Sequence, residues 1–252
     1  MHNNRRDFLK RIGGLGAAAA LATPGAEAAP NGGKAGEGVT FLFQGDSITD
    51  GNRTRDNDWN HVMGHGYAYL LASRLWYEHP GKGFHFLNRG VSGNKVTDLA
   101  ARWQADALDL KPDVLSILVG INDVAAFLDG DAAFSAARYE AGYGALLAQT
   151  RQQLPGVQLV LGQPFILPVG RVKERWEAYD GQVRQRQQIV KKLGARHGAI
   201  VVDFGQAFTK ALAKAPADYW IWDGIHPMPA GHELMARAWL DQVRRKLSFL
   251  KA

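Results

Sequence analysis

Val39-Thr40-Phe41-Leu42-Phe43-Gln44-Gly45-Asp46-Ser47-Ile48-Thr49-Asp50 joins an apolar run to a polar turn. Val39 to Phe43 is short, rich in branched and aromatic residues, and nearly free of polar alternation, as a strand buried on both faces must be. Four more runs share that character: Phe84 to Asn88, Val114 to Val119, Val157 to Leu161 and Ala199 to Phe204. Between and after them lie helical patterns at Tyr67–Tyr77, Thr97–Leu108, Ser135–Gln153, Tyr179–His197, Gly205–Lys214 and Ala230–Leu250. Continuous apolar strands separated by helices predict a parallel sheet covered on both faces, a three-layer α/β/α domain. In such a sheet ligands bind at the carboxyl ends of the strands. The residues that follow each strand are therefore the functional candidates.

After the first strand stands Ser47, one step past Gly45-Asp46. Its hydroxyl can face the crevice as a nucleophile, or it can cap the next helix. After the second comes Val91-Ser92-Gly93-Asn94. Gly93 can bring a bare N–H close to a substrate oxygen, or simply form a turn. The third ends Gly120-Ile121-Asn122-Asp123, where the Asn122 amide can donate to an oxyanion or serve as an Asx-turn or cap. Near the C-terminus, Trp222-Asp223-Gly224-Ile225-His226-Pro227 places an acid three residues before an imidazole in one loop. The two can orient a base beside a serine, or form a solvated pair.

Taken together these blocks resemble the SGNH hydrolases, also called GDSL esterases: GDSIT at Ser47, VSGN at Gly93, GIND at Asn122 and DGIH at Asp223 and His226, in order. Ile48 replaces the Leu of the name-giving motif, a conservative apolar change. The resemblance implies a flavodoxin-like fold of about five parallel strands, with no metal and no cofactor. It also implies Ser47 as nucleophile, His226 as general base and Asp223 as its orienting partner. The N–H groups of Ser47 and Gly93 and the Asn122 side chain would then line the oxyanion hole. Within the family the chain is most similar to carbohydrate acetyl esterases, especially those acting on acetylated xylan. That similarity rests on Ala101–Asp106, Lys111-Pro112-Asp113 leading into Gly120–Val124, and His226-Pro227 followed by Ala230-Gly231-His232.

The implied activity is hydrolysis of short-chain, chiefly acetyl, esters on plant or cell-envelope carbohydrate through an acyl-enzyme, the partner being an acetylated oligosaccharide or other small ester. The alternatives are a lipase, lysophospholipase or thioesterase on the same scaffold, or a glycan-binding domain without ester turnover, which retention of all five site residues disfavours. The loop Gly51–His65 carries Arg53, Arg55, Asp56, Asn57, Trp59 and Asn60, which suit a sugar ring or a solvated surface equally. A second irregular segment, Pro164–Trp176, is apolar at its start and charged after it.

Composition narrows the rest. The chain has 252 residues, no cysteine and a net charge of +6. Thiolate chemistry, disulfides and Cys-ligated metals are thereby excluded. Residues 1–28 carry +2 of that charge, and +4 spread over the remainder is a weak case for nucleic acid and a fair one for a soluble basic enzyme; no nucleic-acid partner is assigned. Arg171–Arg186, basic but interrupted by Glu174, Glu177 and Asp180, reads as a solvated face. His61 and His65 have the i, i+4 spacing of a metal pair but lack the intervening Glu of a zincin.

At the N-terminus, Asn4-Arg5-Arg6-Asp7-Phe8-Leu9-Lys10 resembles a twin-arginine export signal. The apolar run Ile12–Ala22 is too short for a bilayer span of about 20 residues. Ala26-Glu27-Ala28 supplies small residues for cleavage. The reading is a signal over 1–28, a flexible lead-in over 29–38 and a hydrolase domain over 39–252. It predicts a periplasmic or secreted protein with no stable membrane insertion after cleavage, and leaves homo-oligomerisation open.

Overall fold

The structure is a computed structural model and describes residues 38–56, 58 and 61–250. The signal over 1–28 and the lead-in up to residue 37 lie outside the described residues, as do Asn57, Trp59 and Asn60 of the first loop. In chain order the elements are β1 (Thr40–Gly45), α1 (Ser47–Asp50), α2 (Tyr67–Glu78), β2 (His85–Asn88) and α3 (Val96–Trp103). Then come β3 (Val114–Leu118), α4 (Ile121–Leu128), α5 (Ala136–Gln153), β4 (Gln158–Gly162) and α6 (Trp176–His197). The chain finishes with β5 (Ile200–Val202), α7 (Phe204–Ala211), α8 (Ala217–Trp220) and α9 (Pro229–Val243).

All five strands pair in parallel in the order β2-β1-β3-β4-β5. This is the flavodoxin-like order, in which the chain leaves β1 for one side of the sheet and returns to β3 on the other. A crevice therefore opens at the carboxyl ends of β1 and β3. Ser47 follows β1 and Asn122 follows β3.

Each strand feeds two cores because successive side chains point to opposite faces. From β1, Phe41 and Phe43 join Tyr67, Leu71 and Leu75 of α2, Trp239 of α9 and Phe204 of α7. Leu42 enters the opposite core with Leu99 and Trp103 of α3, Tyr143 and Leu147 of α5, and Val190 of α6. Both buried indoles are hydrogen-bonded, Trp103 Nε1 to Thr150 Oγ1 and Trp239 Nε1 to Ser116 Oγ, each at 3.0 Å. Unpaired, either N–H would cost about 1–3 kcal/mol.

Three elements depart from the sequence pattern by more than a few residues. The stretch read as one helix over Thr97–Leu108 turns into a π-helical segment at Gln104–Leu108, which presents the Asp106 carbonyl to Gln44 Nε2 at 2.5 Å. The last helix stops at Val243 rather than Leu250, and the chain bends so that Leu247 and Leu250 bury in the core beside Phe41 and Phe84. Helix α4 was not anticipated, although Ile121, Val124, Ala125 and Leu128 have helical spacing.

Helix α9 also holds α2 in place. The His232 ring is buried, and its Nδ1 accepts the Tyr67 N–H at the start of α2 (3.2 Å). Burial, with the charges of His65 and His226 adding to it, holds the His232 imidazole down to about 4. The folded protein thus takes up this proton less readily than the unfolded chain. Its stabilising effect is complete above pH 6.5 and is lost as pH falls through 4, a swing of about 3 kcal/mol at most. Buried Asp46 and Asp123 titrate in the opposite sense, so the diagnostic quantity is the difference between wild type and His232→Gln. Thermal melts should converge between pH 6.5 and 4, with the variant losing less. A constant gap in Tm across that window would refute the assignment.

Candidate active site

Gly45 ends β1 where the backbone runs so close to β3 that a Cβ would stand 2.3 Å from the Leu118 carbonyl oxygen. The chain then turns at Asp46, whose Oδ1 accepts the Ile48 N–H at 3.1 Å and caps α1. The cap is therefore Asp46 and not Ser47, which removes the capping alternative for the serine. Burial pushes the Asp46 carboxyl up to about 7, the Ile48 N–H opposing it and the Asp123 charge adding to it.

The Ser47 hydroxyl instead meets His226, with Oγ 2.8 Å from Nε2. His226 Nδ1 lies 2.8 Å from Asp223 Oδ2. Asp223 Oδ1 accepts the N–H groups of Ile225 (2.9 Å) and His226 (2.7 Å). At 6% exposure Asp223 is not part of a solvated pair. Burial alone would raise its carboxyl, but the hydrogen bonds from the His226 N–H and ring, and from the Ile225 N–H, hold it below the usual carboxylate range. An ionised Asp223 accepts from Nδ1–H, which leaves Nε2 as the acceptor for the serine proton. The loop that carries both residues is closed by the Ile221–Pro227 bridge and by Met228 N–H to Trp220 O at 2.8 Å.

Gly93 stands in a turn closed by Asn94 N–H to Val91 O (3.1 Å), with φ of 82° and no atom within 4 Å of where a Cβ would be. It is a turn former whose N–H donates to no described protein atom. The Ser47 N–H, at the start of α1, is likewise unengaged. Val91 N–H to Gly45 O (3.0 Å) and Ser92 N–H to Asp50 Oδ2 (3.0 Å) tie this turn to the end of β1. Asn122 lies in the first turn of α4 and not at a strand terminus, and the cap there is Gly120. Its Nδ2 donates to Asn94 O at 3.1 Å, which links α4 to the Gly93 turn. The three potential donors thus belong to segments hydrogen-bonded to one another at the ends of β1 and β3.

Several supporting residues carry no motif signature. Asn88, buried at the end of β2, donates from Nδ2 to the carbonyls of Thr49 (2.7 Å) and Met63 (3.0 Å) and accepts the Gly90 N–H (2.9 Å). A polar residue closing an apolar strand was the available signal. Arg53 and Arg55, candidates for sugar contact, brace the site: Arg53 Nε donates to Gly90 O (3.0 Å) and Arg55 Nη2 to Asp50 Oδ2 (3.0 Å). Trp222 is 60% exposed, with its ring 6.1 Å from that of His226 and inclined by 23°.

The solvated-face reading of Arg171–Arg186 holds for Arg171, Lys173, Glu174, Arg175, Glu177 and Arg184, which are exposed, and fails at Arg186. Arg186 is fully buried, its Nη2 donating to Phe134 O at 2.7 Å and its guanidinium 5.5 Å from the Phe127 ring centre. Arg171 pairs with Asp223, Nη2 to Oδ2 at 3.2 Å.

A serine hydroxyl, an oriented imidazole and unengaged N–H donors at the switch point of a parallel sheet define an acyl-hydrolysing class of enzyme. The chain belongs to the GDSL-like lipase/acylhydrolase family, whose model matches residues 43–234. It is a carboxylic ester hydrolase. Among known proteins it is 33% identical to an acetylxylan esterase of Geobacillus stearothermophilus over 218 residues, 83% of this chain and 96% of the relative. The crystal structure of Axe2, an acetylxylan esterase from that organism, superposes with a TM-score of 0.73 at 32% identity, covering 82% of this chain and 95% of the other. LAE5, an alpha/beta hydrolase enzyme from the metagenome of Lake Arreo, gives 0.75 at 32% identity, covering 86% and 98%.

Proposed function

We propose that this enzyme removes short acyl groups, acetyl foremost, from carbohydrate hydroxyls through an acyl-enzyme on Ser47. The observation that carries the reading is the hydrogen-bonded run from Ser47 Oγ through His226 to a buried Asp223. His226 Nε2 takes the Ser47 proton as Oγ attacks the ester carbonyl carbon. Charge then develops on the carbonyl oxygen, within reach of the N–H groups of Ser47 and Gly93 and of Asn122 Nδ2. Collapse breaks the bond to the alcohol oxygen, which receives the proton from His226. Water attacks the acyl-Ser47 ester, its proton passing through His226 back to Oγ, and the carboxylic acid leaves.

Short acyl specificity is supported by where the apolar segment goes. Phe165, Ile166 and Leu167, the apolar start of the second irregular segment, are buried, with Phe165 packed 4.7 Å from the Phe208 ring, so they form no exposed lid. Carbohydrate is supported by the acetylxylan esterase relatives and by the exposed Trp222 face beside His226, which suits the apolar side of a pyranose ring. The same reading takes Asn4–Lys10 and Ile12–Ala22 as an export leader that would deliver the enzyme to polymeric substrate outside the cytoplasm.

The test is a series of nitrophenyl esters followed by acetate release from acetylated polysaccharides. A site that buries an acyl chain gains about 0.8 kcal/mol per methylene. Here kcat/KM should fall from acetyl to octanoyl, and acetylated xylan should release acetate. A rise with chain length would replace this reading with that of a lipase.

A further inference from the structure

Asp223 Oδ2 receives two cationic or polar partners: His226 Nδ1 at 2.8 Å and the Arg171 guanidinium at 3.2 Å. Arg171 belongs to the 3-10 turn Gly170–Arg175, inside the segment read from sequence as solvent-facing. Its position is not loose. Gly170 has φ of 53°, and a Cβ there would stand 2.5 Å from Asp223 Cα, so the turn lies flat against the backbone of the acid. From the other side, a Cβ on Gly224 would stand 2.6 Å from both the Val169 carbonyl oxygen and Val172 Cβ. Leu167 N–H to Gly224 O, at 3.0 Å, ties the two segments together. Tight backbone contact on both sides keeps residue 171 beside the acid, with Arg171 Nη2 3.2 Å from Asp223 Oδ2.

The charged and titratable groups that face His226 are few. Asp223 lies on its own loop, Arg171 comes from the 3-10 turn and His232 from α9, while Ser47 on α1 supplies the hydroxyl. His232 is neutral above about pH 4 and adds no charge in the working range.

We propose that Arg171 is a positioning residue for the esterase: held against Asp223 Oδ2, its guanidinium fixes the plane of the carboxylate and offsets the negative charge that would draw a proton onto His226. The proposal rests on the assignment of Ser47, His226 and Asp223 given above. With the arginine in place the base stays free to accept the serine proton in more acidic medium. Without it the carboxylate attracts the imidazolium unopposed, and the base fills with protons at a higher pH. Because the Arg171 side chain is 59% exposed, its effect is screened by salt.

The experiment compares wild type, Arg171→Ala, Arg171→Lys and Ser47→Ala in pH profiles of kcat/KM for 4-nitrophenyl acetate, a small neutral ester, at low and high ionic strength. In Arg171→Ala the midpoint of the acidic limb should rise by about half a pH unit, the size expected of a partly exposed pair. Plateau kcat should fall several-fold with KM unchanged. Arg171→Lys should restore most of the midpoint but less of kcat, since an ammonium keeps the charge without the planar fork. High salt should move the wild-type midpoint upward and leave that of Arg171→Ala in place. Wild-type midpoint and salt response in Arg171→Ala, with Ser47→Ala inactive, would overturn the proposal alone. A lower plateau without a shifted midpoint would reduce Arg171 to packing and overturn it equally. Turnover retained by Ser47→Ala would sink the serine-esterase assignment itself.

Discussion

Ser47→Ala and His226→Ala are each expected to lower kcat by about 10⁴-fold or more, because in the proposed mechanism nucleophile and base act as one unit and the loss of either removes the covalent route. The geometry makes the expectation strict. Ser47 Oγ and His226 Nε2 are 2.8 Å apart, and the two cap hydrogen bonds that hold α1 and the Asp223 loop do not pass through either side chain. Both variants should therefore fold, and circular dichroism with a thermal melt would establish that they do. A folded Ser47→Ala retaining turnover within tenfold of wild type would dismiss the nucleophile. The double variant should be no worse than the poorer single one, whereas additive losses would mean that the two residues act in separate steps.

Asn122→Ala should cost about 10² to 10³ in kcat, or roughly 2.7–4 kcal/mol, with KM little changed. In the proposed mechanism the amide meets charge that exists only after attack, while the N–H groups of Ser47 and Gly93 remain to meet part of it. Removing the Nδ2 hydrogen bond to Asn94 O also unties α4 from the Gly93 turn. Asn122→Asp loses the same donor, since a carboxylate oxygen cannot donate to Asn94 O. It keeps the side-chain size but aims a carboxylate at the developing oxyanion, so it should be slower than the alanine variant although no smaller. If Asn122→Ala loses as much as Ser47→Ala, the division of roles between nucleophile and oxyanion donor is wrong.

Much of the site was legible because chemistry-bearing residues sit immediately after buried strands, and buried strands announce themselves. Phe41, Leu115 and Val160 had to be apolar on both sides of the sheet, so their runs showed through without any knowledge of their partners. The helix α4 did not, because Gly120 and Asn122-Asp123 carry turn signals that outweighed the four apolar positions behind them. Arg186 was misjudged for a related reason, and the pairing of the exposed Arg171 with Asp223 was missed with it. A charge between acidic neighbours reads as solvated, and nothing local to it discloses that Phe134 O or Asp223 Oδ2 lies opposite.

The sheet, the layering, the order of the four blocks and hence the end of the sheet that holds the candidate site could be read without coordinates. These follow from local patterns: the polarity of each run, and the turn residues that end it. Long-range packing settles that Asp46 and not Ser47 caps α1, that the Ser47 hydroxyl meets an imidazole 179 residues away, and that Asn88 and Asp50 brace the turn carrying Gly93. Hydrogen bonding depends on ångström distances and on the absence of competing partners, and folding sets both by packing segments far apart in the chain. Residue type and spacing constrain which partners are chemically suited. They do not say which of several suited donors and acceptors the closed core brings within 3 Å.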